Sequence, residues 1–393
     1  MVSDDQNSAK LLFVMSAAFG ELFNAMYLVM GSGFRTVFAL RDAHFSVNHA
    51  SLPGKTHHYE TRSDLLAIIE SEKPDMVCLF CGYLLIDEKV MDVAELDSFI
   101  DRLLELGIKV ITSDPFLGLP SRVPTFDPNN PFEQLLSLPV KLMGGLLFGS
   151  SFLYFSEMPG LKRLPHVYVV EPDEPGETQR LAFFNPHIRR YASELDHSAS
   201  LLQHQNGGRA KAHWMFIMGM GEYLPLVNRD GVQSVHALLA EKLRETLAAG
   251  RQPVLFAPKA CIDALIADAS LNHCVLLHTC DYNRYMSLLV GAEYVFYWNI
   301  FSASILARLV NHRPTFFFGT GHIAEFDQMM FDKGMRQYYK NARLTYLDQT
   351  HLLSQTELAK LALLQEEQML KPVCDNLCHL PLPSEMIQRL LNE

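Results

Sequence analysis

The sequence predicts an α/β protein built from two doubly wound domains, and three observations support that prediction. The chain has 393 residues, a length that suits two domains. Hydrophobic residues make up 49% of it and charged residues 20%, a balance that is typical of a well-cored globular protein and not of a disordered one. Apolar runs of strand length alternate with segments of helical periodicity in both halves, which indicates parallel sheets covered by helices on both faces.

The first half contains four strands that alternate with helices, and two further strands follow after a long interruption. The predicted strands are Lys10–Ser16, Phe34–Leu40, Met76–Phe80, Ile108–Thr112, His166–Val170 and Leu181–Phe184, and the predicted helices are Gly20–Met30, Ser63–Glu72 and Leu96–Leu106. Each of the first four strands is a short, nearly continuous apolar run, as expected for a strand buried on both faces.

The apolar run from Leu11 to Gly31 stands where a signal peptide would stand. The residues ahead of it include Asp4 and Asp5, whereas a secretory signal begins with positive charge. Glu21 lies in the middle of the run, where a carboxylate would be costly in a membrane span. We therefore interpret the run as a buried strand followed by a helix, and we expect a cytoplasmic protein.

Charge and cysteine content exclude several classes of function. The formal net charge is −11, which argues against a broad nucleic-acid surface because such a surface needs a basic face. The seven cysteines include the pair Cys78 and Cys81, but this CxxC lies in an apolar run and is interpreted as small buried residues. No spacing of histidines and carboxylates matches a known metal motif, so we expect no metal.

The second half repeats the alternation after a polar stretch, Ala192 to Arg209, that reads as a linker. Its predicted strands are Trp214–Met218, Pro253–Ala257, Val275–His278, Tyr294–Tyr297 and Pro314–Phe318, and its predicted helices are Val232–Leu247, Ile262–Ala267, Tyr282–Leu289 and Ser302–Val310. We predict a first domain over residues 1–195, a linker over 196–210, a second domain over 211–348, and C-terminal helices over 349–393.

One segment between these halves is unusually apolar. Residues 131–155 have a helical pattern that includes the run LMGGLLFG, and buried core is the default interpretation. The alternative is peripheral contact with a membrane surface or a lipid acceptor, although the segment is short and carries few cationic residues.

Loops that follow strands are the places to search for a site, because ligands of open α/β sheets bind beyond the carboxyl ends of the strands. Gly219, Gly221 and Glu222 follow the first strand of the second half, and glycines there allow a phosphate or sugar to approach the backbone. The same residues also fit an ordinary tight turn. Lys259 follows the next strand, either as a phosphate contact or as a solvated lysine.

Two further loops lie near the end of the second half. Asn299, Ser302 and Ser304 lie between a strand and a helix, where hydroxyls either cap the helix or help its amino terminus to hold a diphosphate. His322 and Glu325 follow the next strand in a glycine-rich loop, either as contacts to a sugar or diphosphate or as solvated turn residues.

The stretch from Val275 to Phe318 resembles the donor half of GT-B glycosyltransferases. The positions that carry the resemblance are Tyr285, Leu288, Leu289, Ala292, Ser302, Ser304 and Pro314. It implies a GT-B-like fold in which two Rossmann-like domains face a cleft. It also implies that Ser302 and Ser304 hold the diphosphate of a nucleotide-sugar donor and that His322 and Glu325 lie near the donor sugar. The phosphate loop departs from the superfamily, because it has few glycines.

The resemblance further implies a glycosyltransferase that moves a sugar from a nucleotide-sugar donor to an acceptor that the sequence does not identify. Glu21 and Asp114 follow strands of the acceptor-side domain and are candidate catalytic bases, although Glu21 also favours a helix amino terminus and Asp114 begins an Asp-Pro turn. Helix amides in place of a metal would offset the diphosphate charge, so no cofactor is expected. The alternatives are a nucleotide-sugar epimerase or hydrolase of the same fold and a non-catalytic ligand-binding protein.

Overall fold

The chain forms two compact units. The structure, a computed structural model, describes residues 8–16, 19–80, 82–113, 158–168, 180–188, 212–321, 323–324 and 328–393. The first unit comprises Met1–Asn185 together with Leu380–Glu393, and the second comprises Pro186–His379. The residues predicted as one group of C-terminal helices, 349–393, are thus divided between the two units.

The first unit is built on a parallel sheet of seven strands in the order β3-β2-β1-β4-β5-β6-β7. The strands are β1 (Lys10–Val14), β2 (Arg35–Leu40), β3 (Lys55–His58), β4 (Met76–Leu79), β5 (Lys109–Thr112), β6 (His166–Tyr168) and β7 (Arg180–Ala182). β1 is central, because Leu12 pairs with Val37 on one side and with Val77 on the other. The continuous apolar runs of the sequence therefore correspond to strands buried on both faces.

Helices flank this sheet. They are α1 (Phe19–Val29), α2 (Asp42–Asn48), α3 (Arg62–Glu72), α4 (Leu84–Asp87), α5 (Val93–Glu105) and α6 (Pro159–Lys162). α5 shows why such segments become helical: Asp92 and Glu95 form a capping box at its start, and its buried residues recur at helical spacing. The apolar run from Leu11 to Gly31 contains β1 and α1, and within the described ranges no helix is both long and apolar enough to cross a membrane.

Several histidines between β2 and α3 lie in regular secondary structure. His44 is buried in α2, and His57 and His58 are the last two residues of β3. β3 was not predicted because its sequence, KTHH, is polar. An edge strand tolerates polar residues, since part of its surface is exposed.

The second unit contains a parallel sheet of five strands in the order β10-β9-β8-β11-β12. The strands are β8 (His213–Ile217), β9 (Gln252–Phe256), β10 (Val275–Leu277), β11 (Tyr294–Tyr297) and β12 (Thr315–Phe317). β8 and β11 are neighbours in register, with Trp214 opposite Tyr294. The chain leaves β8 toward β9 on one side and returns at β11 on the other, so the order reverses between β8 and β11.

The helices of this unit are α7 (Met220–Asp230), α8 (Val232–Ala248), α9 (Lys259–Ile266), α10 (Tyr282–Gly291), α11 (Ala303–Val310), α12 (Gln328–Gly334), α13 (Gln355–Gln365) and α14 (Lys371–Leu377). Two of them, α7 and α12, were not predicted from the sequence. In α7, two glycines lie near the start and Pro225 lies within the helix, and both residue types are unfavourable inside helices. The final helix, α15 (Pro383–Asn392), belongs to the first unit.

A buried arginine fixes α11 against α10. The Arg308 side chain is fully buried, and its guanidinium donates to the carbonyl oxygens of Leu289 at 3.0 Å and Ala292 at 2.9 Å and to that of Pro314 at 2.6 Å. Leu289 and Ala292 lie at the end of α10, where carbonyl oxygens have no partner within the helix itself, and Pro314 lies just before β12. Burial lowers the pKa of Arg308 to about 9, so the guanidinium stays protonated at neutral pH.

Candidate functional site

A pocket lies at the carboxyl ends of β8, β11 and β12 in the second unit. Its volume is about 310 Å³. The lining residues come from α7, from the segments that follow β11 and β12, and from the segment before α13; they are Gly221, Glu222, Pro225, Leu226, Arg229, Trp298, Phe318, Gly319, Thr320, Gly321 and Gln349. The pocket therefore lies at the reversal of strand order, where open α/β sheets bind their ligands.

The glycine loop after β12 lies directly against the end of β11. A Cβ atom on Gly321 would come within 2.6 Å of the Asn299 Cβ, and one on Gly319 would come within 3.3 Å of the Trp298 carbonyl oxygen. Gly321 also has a φ of +83°, which residues with a side chain rarely adopt. These glycines are needed because the two backbones meet here.

Aromatic side chains form one wall of the pocket. Trp298 is almost fully buried, and its ring lies 4.8 Å from that of Phe318 at an interplanar angle of 45°. The Trp298 indole Nε1 donates to the Gln349 Oε1 at 3.0 Å, which fixes the orientation of both side chains. The amide nitrogen of Gln349 remains a hydrogen-bond donor. The wall thus combines apolar aromatic groups with a polar group beside them.

α7 forms the opposite wall and brings a carboxylate into it. Gly219 precedes the helix, and its backbone N–H donates to the Glu222 carboxylate at 2.9 Å. A Cβ atom on Gly219 would lie only 2.7 Å from that carboxylate. Gly219 therefore has a structural role in positioning the Glu222 carboxylate, whereas Gly221 and Glu222 line the pocket.

The two predicted serines begin α11 but have different surroundings. Ser302 precedes the helix, and within the described part of the chain its side chain makes no capping hydrogen bond. Ser304 is buried; its hydroxyl accepts a hydrogen bond from the Tyr297 hydroxyl at 3.1 Å and lies 2.9 Å from that of Ser302. Burial raises the pKa of Tyr297 well above its usual value, so this phenol remains a donor. Among the described residues that line the pocket, neither serine is present.

Asn299 and Lys259 also lie outside the pocket lining. The Asn299 Oδ1 is buried and has no hydrogen-bond partner among the described residues, a situation that usually indicates water or a ligand nearby. Lys259 begins α9, and its ammonium group donates to the Asp263 carboxylate at 2.6 Å. That exposed i,i+4 pair is the common arrangement of a surface lysine.

Several predicted positions fall where their side chains are not described. Glu21 belongs to α1, directly after the first strand, but its side chain is outside the described set. Asp114, His322 and Glu325 lie outside the described residues, as does the apolar segment 131–155.

The sequence analysis missed Trp298, Phe318, Arg229 and Gln349. Phe318 was counted as the end of a strand, Trp298 directly follows a predicted strand, and the last two carry no motif. Arg229 lies near the end of α7 and pairs with the neighbouring Asp230 through two bonds of 2.9 Å, which lower the pKa of that carboxyl. Only the position of Trp298 and Phe318 after apolar runs could have indicated the site, because strand ends converge at one edge of a parallel sheet.

One group of side chains among the described residues has the composition of a metal site. Asp42, His58 and Glu60 follow β2 and β3, and all three side chains are exposed. The His58 Nε2 lies 2.9 Å from a carboxylate oxygen of each acidic residue, and Arg41 pairs with Glu60 from the other side. The arginine lowers the attraction for a cation, so the group resembles a surface ion-pair network.

Comparisons with known proteins identify the fold. No family model matches the chain, and no curated protein matches it in sequence. The UDP-N-acetylglucosamine 2-epimerase from Rickettsia bellii shares 11% identity with a TM-score of 0.52, over 98% of this chain and 96% of that one. The UDP-GlcNAc 2-epimerase from Methanocaldococcus jannaschii shares 9% identity with a TM-score of 0.51, over 98% and 99% of the two chains.

A variant of the wall teichoic acid polymerase TagF gives a similar result. It shares 12% identity with a TM-score of 0.52, and the match covers 98% of this chain and 88% of that one. Identities this low establish fold alone. Together with the two parallel sheets, they confirm that the chain has a GT-B-like fold of two Rossmann-like domains, as the resemblance in its C-terminal half implied.

Proposed function

We propose that the pocket of the second domain binds the nucleotide of a nucleotide sugar and that the protein is a metal-independent glycosyltransferase. The observation that carries the proposal is the position and composition of the pocket, which combines an aromatic wall, a glycine-rich loop and a carboxylate at the reversal of strand order.

The lining suits a nucleoside diphosphate. The half-buried Phe318, with Trp298 behind it, offers a base an aromatic contact, and Glu222 and Gln349 offer polar contacts to a base edge or ribose. A volume of about 310 Å³ fits a nucleoside, so the diphosphate and sugar extend beyond the pocket. The amides of residues 319–321 and the amino terminus of α11 are the groups proposed to receive the diphosphate charge, which is why no metal is invoked.

The ligands of structurally similar proteins support the same class of donor. The Methanocaldococcus jannaschii epimerase is described in complex with UDP-GlcNAc and UDP, and another TagF structure was soaked with CDPG. In our proposal His322 and Glu325 contact the donor sugar, and Glu21 or Asp114 removes a proton from the acceptor hydroxyl. A carboxylate beside an apolar strand end suits that role because burial favours proton uptake.

Binding is tested first, by calorimetry with UDP-, GDP-, dTDP- and CMP-linked sugars. We expect one nucleotide series to bind, and we expect Leu226→Trp, which fills the pocket, to weaken that binding by more than about tenfold. Leu224→Trp is the matched control, because Leu224 is an exposed leucine of the same helix and lies outside the pocket lining. Binding of no donor, or equal binding by Leu226→Trp, would refute the proposal.

Product analysis separates transfer from the alternative activities. A transferase releases the nucleotide only when an acceptor is present, and chelation of divalent metals leaves that release unchanged in our proposal. An epimerase of the same fold, the activity by which two similar structures are described, returns an altered nucleotide sugar and no free nucleotide. A hydrolase releases nucleotide and free sugar without acceptor, and a non-catalytic binding protein produces neither.

A further inference from the structure

Cys374, His312 and Glu366 form a row of interacting side chains outside the proposed nucleotide pocket. The His312 Nδ1 lies 2.8 Å from the Glu366 Oε1, and the His312 Nε2 lies 3.6 Å from the Cys374 Sγ. Cys374 lies in α14, His312 follows the end of α11, and Glu366 begins the π-helical turn Glu366–Leu370. The row therefore joins a carboxylate, an imidazole and a thiol in the order found where a thiol is activated as a nucleophile.

The carboxylate determines which imidazole nitrogen carries the proton. An ionised Glu366 can only accept hydrogen bonds, so the neutral His312 ring must donate from Nδ1. The Nε2 lone pair then points toward Cys374, which makes it a proton acceptor for the thiol. The neutral thiol has an alternative acceptor, the Leu309 carbonyl oxygen at 3.6 Å.

The backbone of His312 is a second, independent observation. The residue directly follows the C-cap residue of α11, and its φ is +52°, in the left-handed region where helices usually place glycine. The His312 N–H donates to the Leu309 carbonyl oxygen at 3.0 Å, which holds this conformation. A residue with a side chain is uncommon at such a position, and residues held this way occur preferentially at functional sites.

We propose that Cys374 is a reactive thiol and a modification site for small hydroperoxides. The thiol proton passes to the His312 Nε2, and the thiolate sulfur attacks one oxygen of hydrogen peroxide. An S–O bond forms as the O–O bond breaks, the sulfur is oxidised by two electrons to the sulfenic acid, and the departing hydroxide takes the imidazolium proton to leave as water. Thiol and peroxide thus yield sulfenic acid and water, with the imidazole regenerated.

The surroundings select a small reagent. Cys374 retains 7% of its surface exposed, whereas the side chains of His312 and Glu366 are 37% and 47% exposed. Cys378, four residues further on, is an internal comparison: it is exposed, and its thiol donates to the Asp375 carbonyl oxygen at 3.2 Å. Exposure alone predicts faster oxidation of Cys378, whereas activation by His312 predicts faster oxidation of Cys374.

The test treats the full-length protein with hydrogen peroxide at neutral pH, traps sulfenic acid with dimedone and locates the label by fragment mass spectrometry. We expect the label on Cys374 to form about tenfold faster than on Cys378. His312→Asn, chosen because Asn tolerates the left-handed region, should slow Cys374 labelling about tenfold and leave Cys378 labelling unchanged.

A second variant keeps the test decisive if His312→Asn alters folding. Glu366→Gln retains an acceptor for the imidazole but not the negative charge, so it should slow Cys374 labelling less than His312→Asn does, without a change in melting temperature. The proposal is wrong if Cys374 stays unlabelled in the unmodified protein. It is also wrong if Cys374 in both variants is labelled as fast as in the unmodified protein. Faster labelling in His312→Asn would likewise refute it, because the imidazole would then only shield the thiol.

Discussion

The two serines at the start of α11 occupy similar sequence positions but differ in their hydrogen bonds. Ser302 and Ser304 both lie where a helix amino terminus attracts an anion. Ser304, however, already accepts a hydrogen bond from the buried Tyr297, while Ser302 makes no capping bond within the described residues. Removing either hydroxyl should therefore change different properties of the protein.

We expect Ser304→Ala to lower the free energy of unfolding by about 1–3 kcal/mol, because the Tyr297 hydroxyl is left buried without an acceptor. Ser302→Ala should change stability by less than about 1 kcal/mol and, if Ser302 contacts the diphosphate, weaken nucleotide binding about tenfold. Urea denaturation and calorimetry on the two single variants measure both quantities. Unchanged affinity in Ser302→Ala would remove that serine from the proposed site.

A buried carboxylate in the first unit makes stability depend on pH. Burial by itself would raise the pKa of Glu72, but hydrogen bonds from Lys55, His57 and Lys10 outweigh it and hold the pKa at about 2, below the ordinary value of 4.5. The folded state thus keeps Glu72 ionised at a pH where the unfolded chain takes up a proton. The stabilisation is complete above about pH 4.5 and is lost as the pH falls toward 2.

Glu72→Gln should remove this dependence. We expect the variant to lose about 2 kcal/mol of stability at pH 7 and to show a flatter decline between pH 5 and pH 2 than the unmodified protein. Glu70→Gln is the matched control, because Glu70 is an exposed residue of the same helix. Parallel denaturation curves for both variants across that pH range would show that the ion-pair cluster contributes nothing.

At the scale of elements, a side chain pairs with the start of the outer strand of the second sheet, while Phe317 further along that strand pairs with the backbone of Tyr346. β12 is an edge strand, and such strands expose backbone groups that can pair with other chains. Gln365, which is buried, accepts from the Thr315 N–H at 2.9 Å and donates to the Thr315 carbonyl oxygen at 2.8 Å. One amide side chain therefore replaces the partner residue of a further strand.

We expect Gln365→Leu to destabilise the protein by about 2–4 kcal/mol, because it leaves the Thr315 N–H and carbonyl buried without partners. Gln355→Leu on the exposed surface of the same helix should change stability by less than about 0.5 kcal/mol. Chemical denaturation compares the two, and light scattering at raised temperature should show earlier aggregation of Gln365→Leu. Equal stability of the two variants would contradict this role.

Elements were predictable from the sequence where a single pattern decided them. The apolar runs that became β1, β4 and β11 are buried on both faces, so their sequence and environment agree. β3 was missed because an edge strand tolerates polar residues, and α7 because glycine and proline indicate loops unless packing overrides them. Local signals fail where tertiary contacts determine the outcome.

At the scale of the whole molecule, both sheets begin with the same strand order, β3-β2-β1-β4-β5 and β10-β9-β8-β11-β12. Because strands and helices alternate in both halves of the chain, the two doubly wound domains could be predicted from that alternation. The pocket was predictable only in part: Gly221 and Glu222 follow a strand directly, whereas Arg229 lies a full helix further on and Gln349 lies 51 residues beyond its partner Trp298. When a site is assembled from segments that are distant in sequence, its residues form no recognisable sequence motif.

The last helix of the chain, α15, belongs to the first unit although it follows the second unit in sequence. Ile387 and Leu390 on this helix are buried, and α15 contacts α1. We expect Ile387→Ala to cost the first unit about 2–4 kcal/mol through the cavity it leaves. Hydrogen exchange should show lost protection in α1 and β1, while peptides from β8 to β12 keep theirs.

The exposed residue Gln388 supplies the control, since Gln388→Ala on the same helix removes no core packing. Its exchange should match that of the unmodified protein throughout, and nucleotide affinity should be the same in all three proteins, because the proposed pocket lies entirely in the second unit. If Ile387→Ala lowered protection in β8 to β12 as much as in α1, the two units would unfold as one cooperative body and the assignment of α15 to the first unit alone would fail.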